Sequence, residues 1–217
     1  MTDAARKFLF EDRKYSEEVV NSLKVCAIDN EEELINFMCK KFGSYRVQKA
    51  QLAYKYGSTM VSYFHAPCIF FPYYNIEGKF VGLQARYLGD SEKHQRFQYP
   101  KGMATQMFNM PILKTCKLQE PIFISEGVTD AIALMSSGYN AVAIPSATSF
   151  KSNDMDWAEG RSFMMYPDND EPGERLFEQL KAAITSHSGS ITRLYLPDGC
   201  KDYSELYKNS AASRKKG

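Results

Sequence analysis

The sequence predicts an α/β fold for its second half, a mostly parallel sheet flanked by helices, preceded by a mixed α+β segment with a helical start. Three observations carry this. Short apolar runs at 121–125, 141–144, 163–166 and 191–196 alternate with helical patterns at 128–137 and 172–186, which is the signature of parallel strands joined by right-handed crossovers. The two helical patterns each have one apolar face, Val128, Ala131, Ile132 and Met135 in the first and Leu176, Phe177, Leu180 and Ile184 in the second, so each packs on a sheet. Finally, two acidic motifs, Ser125-Glu126-Gly127-Val128-Thr129-Asp130 and Asp168-Asn169-Asp170-Glu171-Pro172-Gly173, directly follow apolar runs. That places them at the carboxyl ends of strands, where open α/β sheets bind their ligands.

Taken in order, residues 16–56 have helical character, with Val19, Val20, Leu23, Leu34, Ile35 and Met38 spaced along one face. Ser16-Glu17-Glu18 and Asn30-Glu31-Glu32-Glu33 supply cap-like starts with acidic first turns. Two strand-like runs follow, 67–73 and 79–87, joined through Asn75-Ile76-Glu77-Gly78 as a β-hairpin. Pro172 sits in the first turn of its helix, where a missing N–H costs nothing. Residues 210–217 are small and basic and read as a flexible tail.

The domain division expected is a helical segment at 1–60, a mixed α+β subdomain at 61–117, the sheet domain at 118–209 and the tail. With 217 residues and 44% hydrophobic content, there is material for a proper core. No apolar run reaches the ~20 residues that cross a bilayer, and the first residues lead into no signal-peptide core, so the expected location is cytoplasmic, with no membrane partner. Cys26, Cys39, Cys68, Cys116 and Cys200 form no Cys-x-x-Cys pair, which suggests neither a disulfide framework nor a zinc ribbon. A net charge of +1 excludes wholesale electrostatic coating of nucleic acid and leaves room for a local basic patch.

Strand-end carboxylates suit magnesium or manganese, which take hard oxygen ligands and share their shell with water and phosphate. Glu126, Asp168 and Asp170 are the expected catalytic and metal-holding residues. In an extended segment Asp168 and Asp170 face the same side, with Asn169 turned away, so the three carboxylates are expected to converge on one point. Asp130, in the first turn after Glu126, is expected at its rim. Taken singly, these motifs have ordinary structural readings: a capped turn, a strand-end acid, a first-turn acid favoured by the helix dipole. A calcium loop is excluded by Pro172 and Gln179, where oxygen-bearing ligands would have to stand.

The spacing of these motifs resembles the TOPRIM domain shared by DnaG-type primases, topoisomerases, recombination proteins and some nucleases. Glu126, Gly127 and Asp130 match its Glu-Gly-x-x-Asp element, Asp168 and Asp170 its Asp-x-Asp pair, and Gly173 a glycine common in primases. Leu196-Pro197-Asp198-Gly199-Cys200-Lys201-Asp202 is similar to a third primase element, and implies Asp202 as a further metal-site residue. Upstream, Ile69-Phe70-Phe71-Pro72, Gly78 to Arg86, Arg96-Phe97-Gln98-Tyr99-Pro100 and Met107-Phe108-Asn109 resemble the subdomain that precedes TOPRIM in primases. The likeness covers 67–207.

The resemblance implies primer synthesis on single-stranded DNA from nucleoside triphosphates, with magnesium or manganese and no zinc, in replication of a chromosome, plasmid or mobile element, and a replicative helicase as partner. Lys79, Arg86, Arg96 and Lys101, interleaved with Phe97 and Tyr99, are the expected nucleic-acid and nucleotide contacts, together with Asn109. Departures from the family pattern are the missing zinc module, the short chain after Tyr207, and Pro145-Ser146-Ala147-Thr148 in place of a glycine turn. No P-loop motif accompanies the site. Two rivals use the same residues: a TOPRIM phosphodiesterase or nuclease with water as nucleophile, and a non-catalytic nucleic-acid-binding module of a larger primase-helicase.

Overall fold

The computed structural model describes residues 1–103, 106–144 and 155–214, so the 145–148 departure lies outside the described residues. Two compact units make up the chain: Met1–Asp12, Val20–Pro72 and Val81–Ala104 form the first, Arg13–Val19, Tyr73–Phe80 and Thr105–Gly217 the second.

The amino-terminal stretch runs through helix α1 (Asp3–Arg6), a π-helical turn (Lys7–Asp12) and helix α2 (Glu17–Ser22). Strand β1 (Cys26–Ile28) follows, then helices α3 (Glu31–Phe42) and α4 (Ser44–Lys49), and the ribbon of β2 (Ala53–Tyr56) and β3 (Thr59–Ser62). The helical start is therefore interrupted: β1 and the β2–β3 ribbon occupy parts of the stretch expected to be helical. Cys26 and Ile28 pair antiparallel with the next strand, and tertiary pairing overrides a short apolar spacing that fits either period. Helix α3 forms where its caps are: Asn30 Oδ1 accepts from the N–H groups of Glu32 and Glu33 at 2.9 and 3.1 Å. Glu31, Glu32 and Glu33 fill its first turn and Lys40 and Lys41 its last, matching the helix dipole at both ends.

The expected hairpin is present as β4 (Cys68–Tyr74) and β5 (Phe80–Tyr87). Its turn is closed by Asn75 N–H to Lys79 O and Gly78 N–H to Asn75 O, both 2.9 Å. With β6 (Phe97–Gln98) the sheet order is β1-β4-β5-β6.

The second unit holds a parallel sheet of β7 (Ile122–Ser125), β8 (Asn140–Ala143), β9 (Ser162–Met165) and β10 (Ser190–Arg193), in the order β10-β9-β7-β8. Its helices are α5 (Ile112–Thr115), α6 (Val128–Ser136), α7 (Glu171–Ser186) and α8 (Tyr203–Arg214). The core joins Ile122, Ile124, Val142, Phe163 and Met165 of the sheet to Leu176, Phe177, Leu180 and Ile184 of α7, the face the sequence spacing specifies. Register settles where the acids go: Ile124 lies opposite Met165, so the chain leaves adjacent strands side by side, toward Glu126 on one and Asp168 on the other. Helix α8 continues to Arg214 where a tail was expected from 210; residues 215–217 lie outside the described residues. Among the described residues no helix is long and apolar enough to cross a membrane.

Leu180 is fully buried while Gln179 beside it is exposed. Leu180→Ala is expected to cost about 2–5 kcal/mol in urea unfolding, and Gln179→Ala to stay within about 0.5 kcal/mol.

Candidate metal and phosphoryl-transfer site

Glu126 and Asp168 meet across adjacent strand ends. Glu126 Oε1 accepts from the Asp168 backbone N–H at 2.9 Å, tying the loop after β7 to the loop after β9. Gly173 makes this approach possible: a Cβ there would lie within 3.0 Å of Asp168 O, Asp168 N and Glu126 Oε1. Helix α7 thus brings its amino terminus against the acids because its third residue has no side chain.

The loop itself is not the extended segment expected. Asp170 N–H donates to Asp168 O at 2.8 Å, an i to i+2 bond that folds the stretch into a tight turn and removes the strict alternation of side chains. Asp170 then caps α7, its Oδ1 accepting from Gly173 N–H at 3.0 Å.

Asp130 sits in the first turn of α6, as its position predicts, yet it serves another helix. Its Oδ1 accepts from Ser204 N–H at 2.9 Å, at the start of α8, while Asp202 caps the same helix through Glu205 N–H at 2.8 Å. The five acids therefore come from the ends of β7 and β9, the start of α6 and the loop before α8. Their charges act on one another. Burial first, and then the charges of Glu126, Asp130, Asp202 and Asp170, push Asp168 up from 3.8 to about 8. Burial likewise raises Glu126, with Asp170 and Asp130 adding to the rise against the opposing Asp168 N–H bond and the charge of Lys201. Asp130 is raised by burial and by Asp202.

Convergence on a single point is not how these side chains stand. Among the described residues no group of three or more His, Cys, Asp or Glu is placed to hold a metal ion. The physical reason is visible in the hydrogen bonds: four of the carboxylates each take a backbone N–H on one oxygen, which ties each to its own local donor,. The donor set nevertheless fits a hard divalent cation, since every side chain in it is a carboxylate.

Lys201 was missed by sequence reasoning, which named it only as part of the third motif. Its ammonium lies 3.9 Å from Asp170 Oδ2 and its carbonyl accepts from Asn169 N–H at 3.1 Å, so one residue anchors the acidic loop and offsets part of its charge. A lysine flanking Asp202 in the third motif was the available signal.

Lys79, Arg96 and Lys101 are exposed. Arg86 is 8% exposed, its guanidinium over the rings of Phe8 and Phe97 at 4.5 and 5.0 Å. Asn109 has φ +61° and its carboxamide donates to Ala141 O at 2.9 Å. Beside it Phe108 bridges Ala143, so this element fastens the β8 edge of the sheet.

The family model described as Toprim-like matches residues 123–207. None of the curated proteins matches the chain. Among solved structures, the Aquifex aeolicus primase (zinc-binding and RNA polymerase domains) is similar over 99% of this chain and 55% of its own, with TM-score 0.83 and 15% identity. The RNA polymerase domain of Mycobacterium tuberculosis primase DnaG is similar over 99% and 76%, with TM-score 0.77 and 19% identity. The DnaG primase catalytic domain bound to ssDNA is similar over 99% and 71%, with TM-score 0.70 and 18% identity. The chain thus has the fold of primase catalytic cores, with the Toprim-like match over residues 123–207, and spans about half of the first of these structures.

Two outcomes test the geometry. Gly173→Ala is expected to destabilise by roughly 1–3 kcal/mol, since backbone at Asp168 must shift; differential scanning fluorimetry and urea titration measure it. Because the Asp168 carboxyl is raised in the folded state, the folded chain binds more protons than the unfolded one between pH 3.8 and about 8, and stability falls as pH rises through that window. In Asp168→Asn the fall is expected to be shallower, in chelator-treated protein melted across pH 5 to 9.

Proposed function

We propose that this protein is a primase-like nucleotidyltransferase that extends primers on single-stranded DNA from nucleoside triphosphates. The observation that carries this reading is the assembly of Glu126, Asp130, Asp168, Asp170 and Asp202 at the carboxyl end of the Toprim-like sheet, in a chain that follows primase catalytic cores over 99% of its length.

Glu126, Asp168 and Asp170 would hold magnesium or manganese, with Asp130 and Asp202 at the rim. A cation there supplies neutralisation of triphosphate charge and activation of the attacking hydroxyl. The chain's own part is electrostatic and positional. The raised carboxylate of Asp168 gives the site a strong demand for positive charge,. Lys201 moderates it, and Gly173 keeps the amino terminus of α7 against the acids, where its backbone dipole favours an anionic group. Lys79, Arg96 and Lys101 contact phosphates along the strand, with Tyr99 as a stacking surface; Arg86, held between two rings, supports that segment from beneath. The role extends to replication of a chromosome, plasmid or mobile element in the cytoplasm, beside a replicative helicase.

Incubation with single-stranded DNA, labelled ribonucleotides and magnesium or manganese is expected to yield short triphosphate-dependent products. Glu126→Gln and Asp168→Asn are expected to lower that yield by roughly 100-fold or more with the fold intact by circular dichroism. Template degradation without triphosphate would identify a phosphodiesterase, and neither product a binding module.

A further inference from the structure

From Leu34 to Ile76 the chain holds no aspartate or glutamate, although 26 of its 217 residues are acidic. The same stretch carries Lys40, Lys41, Arg46, Lys49 and Lys55. Its part from 34 to 63 folds as a small module within the first unit: Ile35 of α3, Val47 of α4 and Ala53 of β2 form its core, with Met38, Cys39, Leu52 and Met60 packed against them. Once those residues are inside, the aromatic ones are left outside. Phe37 is 58% exposed, Phe42 46%, Tyr45 70% and Tyr56 76%, and Tyr54 and Tyr63, also exposed, pair with ring centroids 4.9 Å apart.

The cations and the rings occur together. The Lys41 ammonium lies 5.5 Å from the Phe37 ring and 5.4 Å from that of Phe42, and the Lys49 ammonium 5.6 Å from that of Tyr45. Exposed cation–π pairs contribute little to stability, and solvent-facing Phe and Tyr at this density are not needed to close a core built from other residues. Rings flanked by lysines, with the acids of α3 confined to its first turn at Glu31, Glu32 and Glu33 and none in α4 or the β2–β3 ribbon, provide the two elements that single-stranded nucleic acid uses: phosphate neutralisation and base stacking.

We propose that the outer face of α3, α4 and the β2–β3 ribbon is a second contact surface for single-stranded nucleic acid, separate in residues from Lys79, Arg96 and Lys101 and independent of the acidic site. A membrane is not the partner it fits, because the rings alternate with charges instead of forming a continuous apolar face. Nor do flat duplexes satisfy it, since their bases are stacked on one another.

The test is fluorescence anisotropy of labelled oligo(dT) with the full chain, as a function of salt. Lys41→Ala/Lys49→Ala is expected to weaken binding and make the logarithmic salt slope shallower by about 1.4, at about 0.7 per lost phosphate contact. Phe37→Ala/Tyr45→Ala is expected to weaken binding about fivefold or more per ring with the slope unchanged. All four positions are surface sites, and melting curves check that the variants fold. Wild-type affinity in both double variants, equal loss of affinity for duplex, or self-association abolished by Phe37→Ala/Tyr45→Ala would each overturn the proposal. Loss of binding confined to Arg96→Ala/Lys101→Ala would overturn it while leaving the primase reading in place. Conversely, effects at Phe37 and Tyr45 in a wild-type chain that makes no primers would uphold the surface and end the primase reading.

Discussion

The hydrogen bond from the Asp168 N–H to Glu126 Oε1 is the contact on which the acidic edge depends. It spans two parallel strands and fixes the separation of two loops that sequence alone leaves free. Nothing larger than a hydrogen atom fits at Gly173 beneath it, so the start of α7, the turn at Asp168 to Asp170 and the Glu126 side chain are one mechanical unit. The bond also limits electrostatic cost. Bringing half-buried carboxylates together is unfavourable unless they find donors, and in this fold four of the five take backbone N–H groups at helix starts and turns, which any change of side chain other than to proline leaves in place.

That solution shapes the two helices that close the site. Helix α7 is capped by Asp170 and α8 by Asp202, while Asp130 reaches from α6 to the amino terminus of α8. Asp170, Asp202 and Asp130 therefore each have a structural duty. A set of this kind is held by elements of regular structure and not by loops alone, which is the arrangement a charge-dense site requires if it is to keep its shape.

The parallel sheet, the apolar faces of α6 and α7, the β4–β5 hairpin and the cap of α3 were legible in sequence, because each rests on periodicity or on a capping residue a few positions away. The interruption of the helical start by β1 and the β2–β3 ribbon was not, since Cys26-Ala27-Ile28 is too short to show a period and becomes a strand only by pairing with β4. The Asp168 to Asp170 turn escaped for a similar reason: alternation assumes an extended chain, and one i to i+2 hydrogen bond undoes it. Glu126, Asp130, Asp168, Asp170 and Asp202 were legible as a set through motif spacing, whereas their division among separate backbone donors was not. Lys201 and the burial of Arg86 between Phe8 and Phe97 belong to the same class, being consequences of contacts between segments far apart in the chain.

The reach of Asp130 to Ser204 bears on how the molecule comes to be folded. These partners are separated by 74 positions, and Tyr207, one turn further along α8, donates to Lys14 O across 193 positions. Contacts of such sequence separation are formed late, after local helices and hairpins, because the loop they close must be ordered first. On the ribosome, the sheet and α7 emerge before the helix that gives Asp130 its donor. The acidic edge is thus completed only after α8 has been made, and until then Asp130 takes its hydrogen bond from water.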